Sequence, residues 1–247
     1  EPKGMWPGEG SVAQAVAPLF KGAGIQWIAT DGDVLARTLG VKLRAGEVVT
    51  QAGAEKLYRA WGVQGGPAIV FRDRKLSDDI GFRYSKLSGA AAAQDLLGQL
   101  GALAAQPGRP DRLVTLILDG EHAWENYPDD GKAFLDALYT GLTTDKRFTT
   151  TTPSAHLAKH RPSPLPPLWA GSWIGASFAT WIGEDEENRA WDLLAEAREA
   201  ATRYAEEKGA NAGYEHALTK LYAAEGSDWL WWYGKDQDSG RDHEIDQ

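Results

Sequence analysis

Two carboxylates are placed in this sequence where they could do chemistry. Asp119 ends a strand-like apolar run, Leu113 to Leu118, and is followed at once by Gly120-Glu121-His122-Ala123-Trp124-Glu125. A carboxylate at the carboxyl tip of a buried parallel strand sits where barrel enzymes keep their reacting groups. Glu9 lies in Gly4-Met5-Trp6-Pro7-Gly8-Glu9-Gly10-Ser11-Val12, between glycines and beside a tryptophan. Two such acids imply paired-carboxylate chemistry, one group reacting while the other moves a proton. A proton donor working near neutral pH needs an apolar wall to raise its pKa, and Trp124 is placed to help form one, with Glu121 and Glu125 in support. Spacing alone also allows a solvated loop acid at Glu9 and a capping acid at the Asp119-Gly120 turn.

Composition narrows what such acids would act on. Lysine and arginine number 26 against 35 aspartates and glutamates, a net charge of -9, and no basic cluster offsets it. That excludes a surface built to follow nucleic-acid phosphates and favours a neutral substrate. Eleven tryptophans in 247 residues exceed what core packing usually asks of so large a side chain, and rigid aromatic faces suit the apolar C–H faces of sugar rings. Four aromatics follow a glycine and a carboxylate in Glu225-Gly226-Ser227-Asp228-Trp229-Leu230-Trp231-Trp232-Tyr233-Gly234. This segment reads as a stacking platform with Asp228 and Trp229 on the substrate, or as a buried hinge between helices. With no cysteine there is neither a disulfide framework nor a thiolate metal site. His156 and His160 are four apart but carry no glutamate between them, so no metal is expected. No glycine-rich nucleotide loop follows a strand, and no cofactor is expected. No apolar run approaches the ~20 residues that span a bilayer, so no membrane partner is expected. The compartment stays open. The chain begins at Glu1 and stops in a charged stretch, so an excised piece of a longer chain is the simplest expectation.

The elements that must position these residues alternate. Ile25 to Thr30 reads as a short strand ending at Asp31, Val34 to Leu39 as a helix, and Ala68 to Phe71 as a second buried strand ending at Arg72-Asp73. Between them lies an irregular excursion through Gly46 and Gly53. The spacing of Val12, Val16, Leu19 and Phe20 is helical, but Pro18 must fall in a first turn or at a kink. Ser88 caps an alanine- and leucine-rich helix from Gly89 to Ala105, which Pro107-Gly108-Arg109-Pro110 ends. Short apolar strands alternating with helices predict α/β structure with a parallel sheet and site residues at strand ends, here Asp31, Asp73 and Asp119. Beyond Asp119 the chain turns helical: Phe134 to Leu142, then Asn188 to Lys208 and Gly213 to Ala224, with a stiff loop at Pro162 to Pro167.

Three segments, around Glu9, Asp119 and Ser227-Asp228-Trp229, lie in the order found in glycoside hydrolase family 57 and resemble most closely its amylopullulanase-like and α-amylase-like members. Leu168-Trp169-Ala170-Gly171-Ser172-Trp173 also resembles a family segment near the site. The resemblance implies the second part of an incomplete (β/α)7 barrel over residues 1–145, carrying both catalytic acids, followed by a C-terminal helical bundle over 146–247. It implies a retaining glycoside hydrolase acting on α-glucans, with Glu9 as nucleophile and Asp119 as acid/base. Trp6, Asp31, Glu121, Trp124, Trp173, Asp228 and Trp229 would touch substrate. His122 departs from the asparagine usual in the pullulanase-like members. The upstream half of the barrel would have to be supplied. A 4-α-glucanotransferase or branching enzyme would use the same acids, and an inactive glucan-binding fragment would keep the aromatics without turnover.

Overall fold

The computed structural model describes residues 2–46, 48–120, 122–226, 228–236 and 240. They divide into two compact units, with the division between Ala176 and Ser177. The first unit opens with β1 (Gly4–Met5), α1 (Ala17–Gly22), β2 (Trp27–Asp31) and α2 (Gly32–Leu39). Helix α1 starts at Ala17, which puts Pro18 in the first turn, where its missing N–H is no loss. The Asp31 carboxylate caps α2 by accepting from Asp33 N at 2.9 Å, and Gly40, at φ 63°, ends it in a left-handed turn.

The stretch through Gly46 and Gly53 is more regular than the sequence suggests. It forms a short hairpin of β3 (Arg44–Ala45) and β4 (Val48–Val49), then helix α3 (Gln51–Leu57). Thr50 caps α3 through Gly53 N at 3.0 Å. A Cβ on Gly53 would lie 1.9 Å from the Leu43 carbonyl oxygen, so this glycine marks a close approach and not a break. Next come β5 (Trp61–Gly62), β6 (Ala68–Arg72), α4 (Arg74–Asp78) and α5 (Gly89–Ala105), whose Ser88 cap accepts from Ala91 N. The unit continues with α6 (His122–Glu125), α7 (Lys132–Thr144), α8 (Pro153–Leu157) and β7 (Ser163–Pro164).

The central sheet runs β1-β2-β6-β5-β7 and is mostly parallel. One pairing corrects the all-parallel expectation: β5 runs antiparallel to β6, placing Trp61 opposite Ile69 and Gly62 opposite Ala68. The same pairing explains a second difference. Leu113 to Leu118 is extended, yet only Thr115 makes a β-bridge, parallel to Arg72. β5 already occupies the amino-terminal half of that edge of β6, so the segment reaches only its carboxyl end. The Pro162 to Pro167 stretch likewise contributes β7 and is not wholly loop.

Alternation along the strands sorts the core. Ile28, Ile69 and Phe71 join α2 and α3 in one buried cluster, while Ala29 and Val70 point to the other face with Trp6 and Trp27. A third cluster joins α5 to α7 through Leu96, Phe134 and Leu138, with Tyr84 and Tyr127. The second unit contains α9 (Asp185–Lys208), α10 (Ala212–Ala224) and α11 (Asp228–Tyr233). Helix α9 begins with a reciprocal Glu184–Glu187 capping box, Asn211 caps α10, and Arg198 pairs with Glu225. No helix among the described residues is long and apolar enough to cross a membrane.

Candidate active site

Because β1, β2 and β6 are parallel, their carboxyl ends share one edge of the sheet, and four segments leave it there. Glu9 lies in the loop after β1, Asp31 ends β2, Arg72 ends β6, and Asp119 follows the segment bridged to Arg72. This is the edge at which parallel α/β folds gather ligands.

The Glu9 loop is strained and clamped. Glu9 itself has φ 56° and ψ 22°, a left-handed conformation uncommon for a side chain of its length. Gly10 follows at φ 60°, and a Cβ there would come within 2.7 Å of the Trp6 ring. The Thr30 hydroxyl donates to the Gly10 carbonyl at 2.5 Å, tying the loop to β2. From the other side a segment carrying Val12 opposite Gly171 in an antiparallel bridge brings up Trp173. Its backbone N–H donates to the Glu9 carbonyl at 3.0 Å, and its indole Nε1 donates to Glu9 Oε2 at 2.9 Å. Trp6 meets the Trp173 ring edge-on, with centroids 5.4 Å apart.

Arg72 links this loop to the Asp119 segment, a role the sequence reading did not assign. It is buried, with its guanidinium 5.5 Å from the centre of the Trp173 ring. Its Nε donates to the Ile117 carbonyl at 2.9 Å, two residues before Asp119, while Nη1 reaches Asp31 at 3.3 Å and Nη2 reaches Asp78 at 2.5 Å. The Ser77 hydroxyl accepts from Ile117 N at 3.2 Å. Side chains thus replace the ladder that the segment does not complete. Asp31 is wholly buried; burial raises its carboxyl pKa, against the pull of Arg74 and of the Asp33 N–H. Arg74 adds a bond to the Trp173 carbonyl and pairs with Asp33 at 2.7 Å.

Arg72, Arg74, Ser77 and Trp173 border a cleft of about 470 Å³, lined also by Asp78, Phe82, Asp119 and Asn126 among others. Asp119 is exposed on its rim. Glu9 is half-buried and reaches the same wall through Trp173. A larger cavity of about 770 Å³ lies against Ala29 and Val70, and no described carboxylate lines it. The cleft is therefore the candidate site.

The structure brings Glu9 and Trp6 onto Trp173 and puts Asp119 on the cleft that Trp173 lines; Asp31 is wholly buried and meets that wall only through Arg72 and Arg74, so it is not placed to touch substrate as expected. Trp124 packs inward, with ring centroids 5.7 Å from Tyr127 and 6.4 Å from Phe134, and does not line the cleft. Glu121 lies outside the described residues, as does the side chain of Asp228. In the second unit the Trp229 indole donates to the Ala224 carbonyl at 2.9 Å, and Trp181 and Trp231 pack with centroids 5.8 Å apart. His156 and His160 stack at 4.4 Å, and no metal-holding cluster occurs among the described residues. Beyond Arg72, the sequence reading missed Asp78 and Phe82. Neither has a motif, because α4 and the turn after it bring them to the cleft.

The overall arrangement resembles solved structures. The branching enzyme of Pyrococcus horikoshii superposes with a TM-score of 0.66 at 14% identity, over 93% of this chain and 48% of that one. The branching enzyme of Thermococcus kodakaraensis, crystallised with glucose and additives, gives 0.68 at 12% identity, over 93% and 51%. A 4-α-glucanotransferase of Thermococcus litoralis gives 0.52 at 18% identity, over 82% and 30%. At these identities the likeness establishes the fold, and the chain spans about half the length of the two branching enzymes. No curated protein sequence matches. The profile of glycosyl hydrolase family 57 matches residues 1–168, well over half of the 247, and the chain belongs to that family.

Proposed function

We propose that this chain carries the two catalytic acids of a retaining glycoside hydrolase acting on α-glucans, with Glu9 as nucleophile and Asp119 as acid/base. The observation that carries the reading is the dual role of Trp173, whose indole N–H fixes the Glu9 carboxylate while the residue lines the cleft that bears Asp119. In the first step Glu9 attacks the anomeric carbon and Asp119 protonates the departing glycosidic oxygen. In the second, Asp119 takes a proton from the incoming hydroxyl, which displaces Glu9 and restores the original configuration. The chemistry requires carboxyl groups about 5 to 5.5 Å apart. Asp31, held by Arg72 and Arg74, and Trp6, against Trp173, shape the site from behind. Glu121, Asp228 and Trp229 are proposed to serve substrate through the family motifs they occupy, whereas Trp124, packed on Tyr127 and Phe134, supports the Asp119 segment from the core.

In this reading residues 1–145 are the second part of an incomplete (β/α)7 barrel and 146–247 a helical extension. The upstream barrel units would pair with the free edge of the sheet at β1. Water as acceptor gives hydrolysis of amylopullulanase or α-amylase type, and a glucan hydroxyl gives transfer. Product analysis on pullulan, amylose and maltotriose, with the chain joined to upstream units of the family, tests the proposal. Shorter glucans with retained anomeric configuration support hydrolysis; longer or branched products point to a transferase. Inverted products would overturn the mechanism.

A further inference from the structure

Phe82 is 72% exposed, yet the turn that presents it is tied down on both sides. The turn, Asp79–Arg83, carries an extra residue relative to an α-helix, a bulge common at functional sites. On one side of Phe82 the Asp79 carboxylate accepts from Lys75, Arg83 and Gln99 at 2.6 to 3.0 Å. Burial pushes its pKa up, but the hydrogen bonds from Arg83, Gln99 and Lys75 outweigh it and carry the carboxyl down to about 2. Ile80 is buried and its carbonyl accepts from the Tyr127 hydroxyl at 2.5 Å, while on the other side Tyr84 is fully buried and bonds to Asp95 at 2.7 Å. A ring left in water between such anchors is held out by its backbone.

It is held out over the cleft. Phe82, Ile174 and Trp173 supply apolar wall, while Asp78, Asp119 and Asn126 supply hydrogen-bonding groups. Aromatic faces interspersed with polar side chains suit a ring that is apolar on its C–H faces and polar at its rim. The cleft's two arginines are engaged internally, Arg72 with Asp31 and Asp78 and Arg74 with Asp31 and Asp33, so the fitting ligand is neutral.

We infer that Phe82 is the stacking platform of a further sugar subsite, taking a neutral pyranose ring of an α-glucan beside the ring that reacts. The inference rests on the glucan reading above and adds to it a residue that sets the length of chain the cleft holds. Isothermal titration of the chain joined to upstream units of the family with maltohexaose tests it, using Phe82→Ala and Phe82→Tyr. Losing the ring should weaken binding about three- to tenfold, the size of one stacking contact, while tyrosine restores it to within about twofold. Melting temperatures should stay unchanged, because Phe82 buries little. Equal affinity for parent and Phe82→Ala would overturn the subsite and leave the catalytic reading intact. A loss in Phe82→Tyr as large as in Phe82→Ala would also overturn it, since the ring would then not be the contact. A parent that binds no maltohexaose would overturn the subsite and the glucan reading together.

Discussion

The two proposed catalytic acids are held in opposite ways. Glu9 sits in a loop whose backbone is forced left-handed and whose carboxylate and carbonyl are both bonded to Trp173. Asp119 is exposed at the end of a segment that makes one bridge to the sheet and is held otherwise by Arg72, Ser77 and a bond from Leu113 N to the Tyr58 carbonyl. The difference fits the tasks proposed for them. A nucleophile must attack along one line, so a rigid loop and a fixed carboxylate pre-organise it. An acid that becomes a base must serve a leaving oxygen and then an incoming one. Arg72 is where the two schemes meet, since it packs on Trp173 and bonds to Ile117.

The contrast can be broken at several points. In the chain joined to upstream units, Glu9→Gln removes the nucleophile while preserving its shape and should lower turnover by more than about 10⁴-fold with little change in stability. Asp119→Asn should cost somewhat less, about 10² to 10⁴-fold, and less still on substrates with good leaving groups that need no proton. Near-normal turnover in either variant would remove that residue from the mechanism. Arg72→Ala should disturb both acids and unfold the first unit more easily by about 3 to 5 kcal/mol, because it strips a partner from a buried carboxylate. A urea midpoint unchanged from the parent would show that Arg72 is not the link. Trp173→Phe keeps a ring for Arg72 but loses the indole donor, and should lower kcat about tenfold with KM nearly constant. The smallest effect is on stability against pH. Burial, then neighbouring His160, lowers the His156 pKa from its ordinary 6.5, with Asp111 opposing. The unfolded chain therefore takes up this proton first as pH falls, so the contribution is full above about pH 6.5 and is lost below it. His156→Gln should flatten that acid slope in melting temperature.

Local signals in the sequence carry their elements well. Ser88 caps its helix as expected, and the apolar runs ending at Asp31 and Arg72 are strands; Asp31 also caps the next helix, a role the sequence reading does not assign. What the sequence hides is decided by long-range pairing. The two-residue strand at Trp61 has no pattern of its own, yet it takes the edge of β6 and leaves Leu113 to Leu118 with a single bridge. Gly53 looks like a breaker until Leu43 lies against it. Trp124, beside Asp119 in sequence, turns into the aromatic cluster with Tyr127 and Phe134. Trp173 reaches Glu9 from 164 residues away, a contact that spacing cannot reveal. Arg72 and Phe82 likewise gain their meaning only from the cleft.

The central claim is that Glu9 forms a covalent bond to the sugar while Asp119 handles the proton. It is tested most directly by trapping the intermediate with an activated 5-fluoro-α-glucosyl fluoride, from which a carboxylate displaces fluoride to give a glycosyl ester, and mapping the ester by peptide mass spectrometry in the chain joined to upstream units. Glu9 should carry the label, accumulating in the parent and absent from Glu9→Gln. A label on any other carboxylate, or turnover of glucan with no label at Glu9, would contradict it.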